Sequence, residues 1–135
     1  MRVFLDTNIL AYLFDDSDTA RQQRAREVIA TPQIDRRIST QVLIELHSVL
    51  TRRLGRTREE AEAVLSELDF PTVATDGQLV RRAANTVTEH QLSIFDALIL
   101  EAAVLASCDE LWSEDFADGA TLRGVRIVNP LAVVS

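Results

Sequence analysis

Apolar and polar positions along this chain switch repeatedly between the period of a strand and the period of a helix. Val3, Phe4 and Leu5 form an apolar run that stops at Asp6, the pattern of a short buried strand. Asp6-Thr-Asn8 then offers caps for a helix through Ile9–Phe14, and Asp15-Asp-Ser-Asp18 is a polar turn. Asp18 or Thr19 caps a second helix reaching about Ala30, with Pro32 beyond its end. Arg37-Ile-Ser-Thr40 reads as a second strand. Ser39 or Thr40 caps a helix with Val42, Leu43, Leu46, Val49 and Leu50 on one face, closed by Gly55.

The second half repeats the alternation. Thr57-Arg-Glu-Glu60 is a capping box opening a helix to about Leu68, and Phe70-Pro-Thr-Val73 is a short extended piece. Asp76 opens a helix carrying Leu79, Val80, Ala83, Ala84 and Val87. Ser93-Ile-Phe-Asp96 resembles a second capping box, and the helix behind it, Ala97–Ala106, is apolar nearly all round, which predicts central burial. Glu110-Leu-Trp112 and Val125-Arg-Ile-Val128 read as two further strands, with a loop between them. Strands alternating with helices predict an α/β fold: a mostly parallel sheet of four to five short strands, covered by helices on both faces.

Length and continuity favour one domain over residues 1–135, without repeats or linkers. An apolar fraction of 47% is that of a globular chain, and no apolar run approaches the roughly 20 residues of a membrane helix. The N-terminus lacks the features of a secretion signal, and the single Cys108 suits a reducing compartment as a small buried residue. The expectation is a cytoplasmic protein without a membrane partner. The net charge is −7, and all 14 basic residues are Arg. That balance opposes broad electrostatic capture of nucleic acid, unless part of the negative charge is gathered at a cation site; otherwise it serves solubility.

Four acids fall at predicted strand ends or near helix N-termini on one prospective sheet edge: Asp6, Glu45, Asp96 and Asp115. An Asp ending a buried strand needs a capping role, an Arg or a metal, because an unpaired buried carboxylate is costly. Each of the four has a plain structural alternative: a cap for Asp6 and Asp96, an exposed helix face for Glu45, a loop acid for Asp115. Together they form an oxygen-only set that selects Mg²⁺, or alternatively Mn²⁺, over Zn²⁺. Such ions can support phosphodiester cleavage, and without them the acids would repel and raise one another's pKa.

The runs Val3-Phe-Leu-Asp-Thr-Asn8, Ser39-Thr-Gln-Val-Leu-Ile-Glu45, Ser93-Ile-Phe-Asp-Ala97 and Leu111-Trp-Ser-Glu-Asp-Phe-Ala-Asp-Gly119 resemble, in order, the motifs of the PIN-domain family. The tail Gly124–Pro130 is similar to the final strand of its bacterial VapC-type toxins, so the resemblance spans about Met1 to Pro130. It implies a PIN-like three-layer sandwich. It also implies a Mg²⁺-dependent endoribonuclease, the toxin of a toxin–antitoxin pair, with an RNA substrate, a cognate antitoxin and a homodimer. Asp6, Glu45, Asp96 and Asp115 match the family's acidic quartet, catalytic and metal-binding. Asn8 matches the polar position beside the first acid and Ser113 the hydroxyl before the fourth, while Asp118 is a supporting or substitute acid, which leaves the fourth position open between Asp115 and Asp118.

Competing functions fit less well. A phospho-receiver needs a Lys beside its Asp, and this chain has none. An acid-dependent phosphatase usually wants Asp-x-Asp where Asp6-Thr-Asn8 stands. A catalytically inactive PIN-like RNA-binding or scaffold protein need not keep all four acids. The Arg52-Arg53, Arg56 and Arg58 group, like Arg81-Arg82, is either a set of phosphate contacts or a solvated helix face. Tyr12, Leu13, Phe14 and Trp112 read as core or dimer contacts, and His47 and His90 as structural or exposed.

Overall fold

A computed structural model describes residues 1–132; the last three residues of the domain expected over 1–135 lie outside the described residues. The elements run in the order β1 (Arg2–Leu5), α1 (Thr7–Ala11), a single 3₁₀ turn (Tyr12–Phe14), α2 (Thr19–Ile29), β2 (Asp35–Ser39), α3 (Thr40–Arg52), α4 (Arg58–Glu67), β3 (Thr72–Val73), α5 (Gly77–His90), α6 (Ile94–Leu105), β4 (Glu110–Trp112), β5 (Thr121–Leu122) and β6 (Val125–Val128). The caps read from the sequence form. Asp18, Ser39, Asp76 and Ser93 each accept a backbone N–H of the first turn, and Thr57 and Glu60 make a reciprocal capping box. At α6 the return bond is missing: Ser93 accepts the Asp96 amide, and the Asp96 carboxylate is left free to face elsewhere.

The sheet has six strands in the order β3-β2-β1-β4-β6-β5, parallel except for β5. That is more than the four to five expected. The extended piece before α5 pairs through two residues with β2, and the loop before β6 contains β5. Arg123 and Gly124 both sit at positive φ between β5 and β6, the backbone of a tight two-residue hairpin. Arg-Gly is a weaker signal for that turn than Asn-Gly, so the sequence pattern read as loop.

From β1 the chain builds outward to β2 and β3 on one side, and from β4 to β6 on the other. Right-handed crossovers then place α1–α4 over one face and α5–α6 over the opposite one. Phe4, Leu5, Leu46, Ile99, Leu111 and Ile127 are fully buried between these layers. Among the described residues no helix is long and apolar enough to cross a membrane. Cys108 is buried, and burial pushes its thiol up to about 11, as befits a packing residue.

Within the apolar α6, Glu101 is completely buried. The Arg123 guanidinium clasps it with two bonds, Nε to Oε2 at 2.9 Å and Nη2 to Oε1 at 3.1 Å, and Thr86 Oγ1 donates at 2.8 Å. This ties α5, α6 and the β5–β6 hairpin together, a link that helical periodicity does not reveal.

Candidate active site

Adjacent strands β1 and β4 mark the point where the winding of the sheet reverses. In open parallel sheets, the crevice at the carboxyl ends of such a strand pair is where sites form. The Asp6 amide donates to the Trp112 carbonyl at 3.0 Å, so the ends of β1 and β4 are held level there.

Asp6 caps α1 and is 4% exposed. The Thr7 amide donates to its Oδ1 at 2.7 Å, and Ser113 Oγ donates to its Oδ2, also at 2.7 Å. Burial pushes its carboxyl up to about 7. The two hydrogen bonds only partly offset that, and the negative charges of Asp115 and Glu45 push further in the same direction. Ser113 is fully buried and accepts the Asp115 amide at 3.0 Å, so one hydroxyl fixes both the first acid and the backbone carrying the fourth.

Glu45 projects from α3, half-buried. Burial raises its carboxyl, Gln41 lowers it, and the charges of Asp96 and Asp115 raise it again. Its Oε1 is buried without a hydrogen-bond partner. Asp96, in the first turn of α6, is raised by burial and then by Asp115, against the Ser93 hydroxyl. The four acids therefore feel one another, although they come from positions 6, 45, 96 and 115. No Arg or His among the described residues forms an ion pair with any of them.

The supporting residues divide. Asn8 Oδ1 accepts the Glu114 amide at 3.3 Å and steadies the loop after β4, while its Nδ2 is buried and unpartnered. Asp118 stands apart: it accepts the Asn129 amide at 2.9 Å and is not among the charges acting on Asp6, Glu45 or Asp96. Of the two loop acids, Asp115 is the one whose charge acts on the other three. Asn8, Tyr12, Arg53 and Asp115 line a cleft of about 260 Å³ beside the acids. Tyr12, expected as a core or dimer contact, packs against the core and also lines this cleft, as does Arg53, expected as a phosphate contact or a solvated helix face.

The donor set fits a hard divalent cation. It is all oxygen, it lacks a cationic partner of its own, and it includes the unpartnered Glu45 Oε1 and a carboxyl held up by burial. Among the described residues no three His, Cys, Asp or Glu side chains stand close enough together to hold an ion as they are placed.

A PIN domain model matches residues 3–117. The chain belongs to the PIN domain family. Among solved structures it is similar to the Mycobacterium tuberculosis toxin VapC20, described as cleaving the sarcin–ricin loop, at 23% identity and a TM-score of 0.73 over 92% of this chain and 98% of that one. It is also similar to a toxin–antitoxin complex from Klebsiella pneumoniae, at 25% identity and a TM-score of 0.70 over 95% and 97%. A third is VapBC2 from Rickettsia felis bound to a fragment of its promoter DNA, at 17% identity and a TM-score of 0.67 over 94% and 97%. No curated protein sequence matches the chain.

Proposed function

We propose that this chain is a Mg²⁺-dependent endoribonuclease, with Mn²⁺ as an alternative ion, and the toxin of a toxin–antitoxin pair. The observation that carries the reading is Asp6: a carboxylate buried at the sheet's reversal point, influenced by Asp115 and Glu45, with no protein cation to neutralise it. The family and the toxins of like fold support the same reading. Asp6, Glu45, Asp96 and Asp115 would hold the metal, which when bound supplies water activation and stabilisation of the leaving oxygen.

The chain's own residues prepare that chemistry. Ser113 holds Asp6 in one orientation, and Thr7 occupies its other oxygen, so Asp6 is pre-set before any ion arrives. Glu45 Oε1 is buried without a partner among the described residues, which suits it to taking a proton from an attacking water. Asn8 fixes the loop that presents Asp115. A cognate antitoxin, a homodimer and residence in the cytoplasm belong to this reading.

Incubating purified protein with total RNA in Mg²⁺ and in EDTA, beside Asp6→Asn and Asp96→Asn, tests it. Metal-dependent cleavage lost in both variants is the expected result. Absence of cleavage by the wild type on any RNA would favour an inactive RNA-binding or scaffold protein, and equal cleavage by all three proteins would mark a contaminant.

A further inference from the structure

Helix α3 carries an acid at its middle and arginines at its end. Glu45, Val49, Arg52 and Arg53 recur at the i, i+4, i+7 and i+8 positions, one stripe of the helix surface. Two turns, about 10 Å, separate Glu45 from Arg52 along the axis. Beside this stripe, α3 and the start of α4 enclose a groove of about 740 Å³. Its lining includes Arg52, Arg56, Arg58 and His47, and no carboxylate, in a chain whose net charge is −7.

These arginines are not equivalent. Arg56 is committed: it donates to the Phe14 carbonyl at 2.9 Å and pairs with Asp16 at 3.3 Å and Glu60 at 3.8 Å. Arg52 and Arg58 are exposed and form no ion pair among the described residues, although Glu62 shares a neighbouring hollow with Arg58. The α4 N-terminus is already closed by its own capping box, so an anion here would be met by guanidinium groups rather than by free backbone amides.

The geometry points to a phosphate-gripping track: Arg52 and Arg58 hold phosphates of a single-stranded RNA lying in the α3–α4 groove, away from the phosphate being cut. It rests on the reading that RNA is the substrate. RNA fits better than an acidic protein segment on two counts. Ile44 is the groove's single apolar lining residue, too little to anchor a peptide, and Arg52 at the groove lies two helical turns from Glu45 on the same helix. Fixed positive charge near a negative site draws a polyanion towards it. Arginine's planar fork suits phosphate oxygens.

The test uses the full chain in EDTA, where no metal-dependent cutting can confuse binding. Fluorescence anisotropy with a labelled single-stranded 20-mer RNA is followed from 50 to 200 mM KCl. For Arg52→Gln/Arg58→Gln, the slope of log K against log salt should fall by about 1.4, two phosphates at about 0.7 each. The affinity advantage of the wild type over this variant should shrink about sevenfold across that range. Arg26→Gln/Arg126→Gln removes two exposed arginines elsewhere and should leave slope and affinity unchanged. With Mg²⁺, the groove variant should cut a dinucleotide, whose one bridging phosphate is the one being cut, as well as the wild type does. Unchanged binding by the groove variant overturns the track. So does loss of binding to a polyglutamate peptide with RNA binding intact, which would give the groove to an acidic partner. Arginine-dependent RNA binding without cleavage in Mg²⁺ would keep the track and sink the nuclease reading, and cleavage with an indistinguishable groove variant would do the reverse.

Discussion

Two buried carboxylates in this molecule meet opposite fates. Glu101 is fully buried in α6; burial alone would raise its carboxyl, but Arg123 and Thr86 hold it below the ordinary glutamate range. Asp6 is nearly as buried, has a serine and one amide instead of an arginine, and stays raised to about 7. A buried charge is tolerated when paired and costly when not. Where the role is structural, the chain supplies the counter-charge from its own hairpin. At the sheet's reversal point it supplies none, and the cost is met by a proton held up to about pH 7 or, on the proposed reading, by a cation. The contrast separates an architectural ion pair from the proposed cation site more sharply than the count of acids does.

The largest effect should come from removing the uncompensated charge. Asp6→Asn and Asp96→Asn should each lower RNA cleavage in Mg²⁺ by about 10²–10³-fold, the several kcal/mol that metal-assisted charge stabilisation contributes. Thermal unfolding in EDTA gives the matching structural readout. There Asp6→Asn should be as stable as the wild type or more so, because a neutral amide escapes the desolvation cost of the carboxylate. A strongly destabilised Asp6→Asn that regains nothing with Mg²⁺ would make Asp6 a structural cap instead.

Breaking the other member of the comparison should act on stability. Arg123→Met strands the Glu101 charge in the core, and removing one partner of a buried pair costs about 3–5 kcal/mol. Arg123 is itself 38% exposed, so the low end applies, about 3 kcal/mol. For a domain of this size that is a Tm drop of about 10 °C. Adding Glu101→Gln to Arg123→Met should recover much of it, since no charge is then left unpaired. Differential scanning calorimetry of Arg123→Met, Glu101→Gln and the double variant reads this directly, and additive losses would mean that the two side chains act independently.

The comparison also marks what the sequence made legible. The alternation of apolar runs and caps set the α/β order, and strand ends put Asp6 and Asp115 on one edge, because a parallel sheet directs its carboxyl ends one way. Although Leu105, in the same apolar run, stays exposed, the burial of Ala97–Ala103 was equally plain. Glu101 was not, since the need for a partner is visible in an apolar helix but its identity is not: Arg123 lies 22 residues on, in a hairpin whose Arg-Gly turn carries little signal. The choice between Asp115 and Asp118 could not be read either. It depends on a loop conformation in which Ser113 binds the Asp115 amide and Asp118 turns to Asn129.

The smallest effect is a pH dependence with two limbs of opposite sign. Asp6 is raised in the fold from 3.8 to about 7, so the native state binds more protons than the unfolded chain between those values, and stability must fall as pH rises through that window. Between pH 6 and pH 7.5 this amounts to about 1 kcal/mol, a few degrees of Tm. Glu101 is lowered, so its contribution is fully present above the ordinary glutamate value of 4.5 and is lost as pH falls through its folded value. In EDTA, Tm should therefore peak in mildly acid solution. Asp6→Asn should shrink the alkaline limb, to which the raised Glu45 and Asp96 also contribute at lower pH, and Arg123→Met should weaken the acid limb and, with Glu101 then left to its burial, steepen the loss as pH rises. Millimolar Mg²⁺ should lift the alkaline limb in the wild type but not in Asp6→Asn, because a bound cation stabilises the ionised carboxylate and displaces its proton. An alkaline limb indifferent to both Mg²⁺ and Asp6→Asn would show that Asp6 is not the group that titrates there, and would remove the thermodynamic side of the argument for a cation at this site.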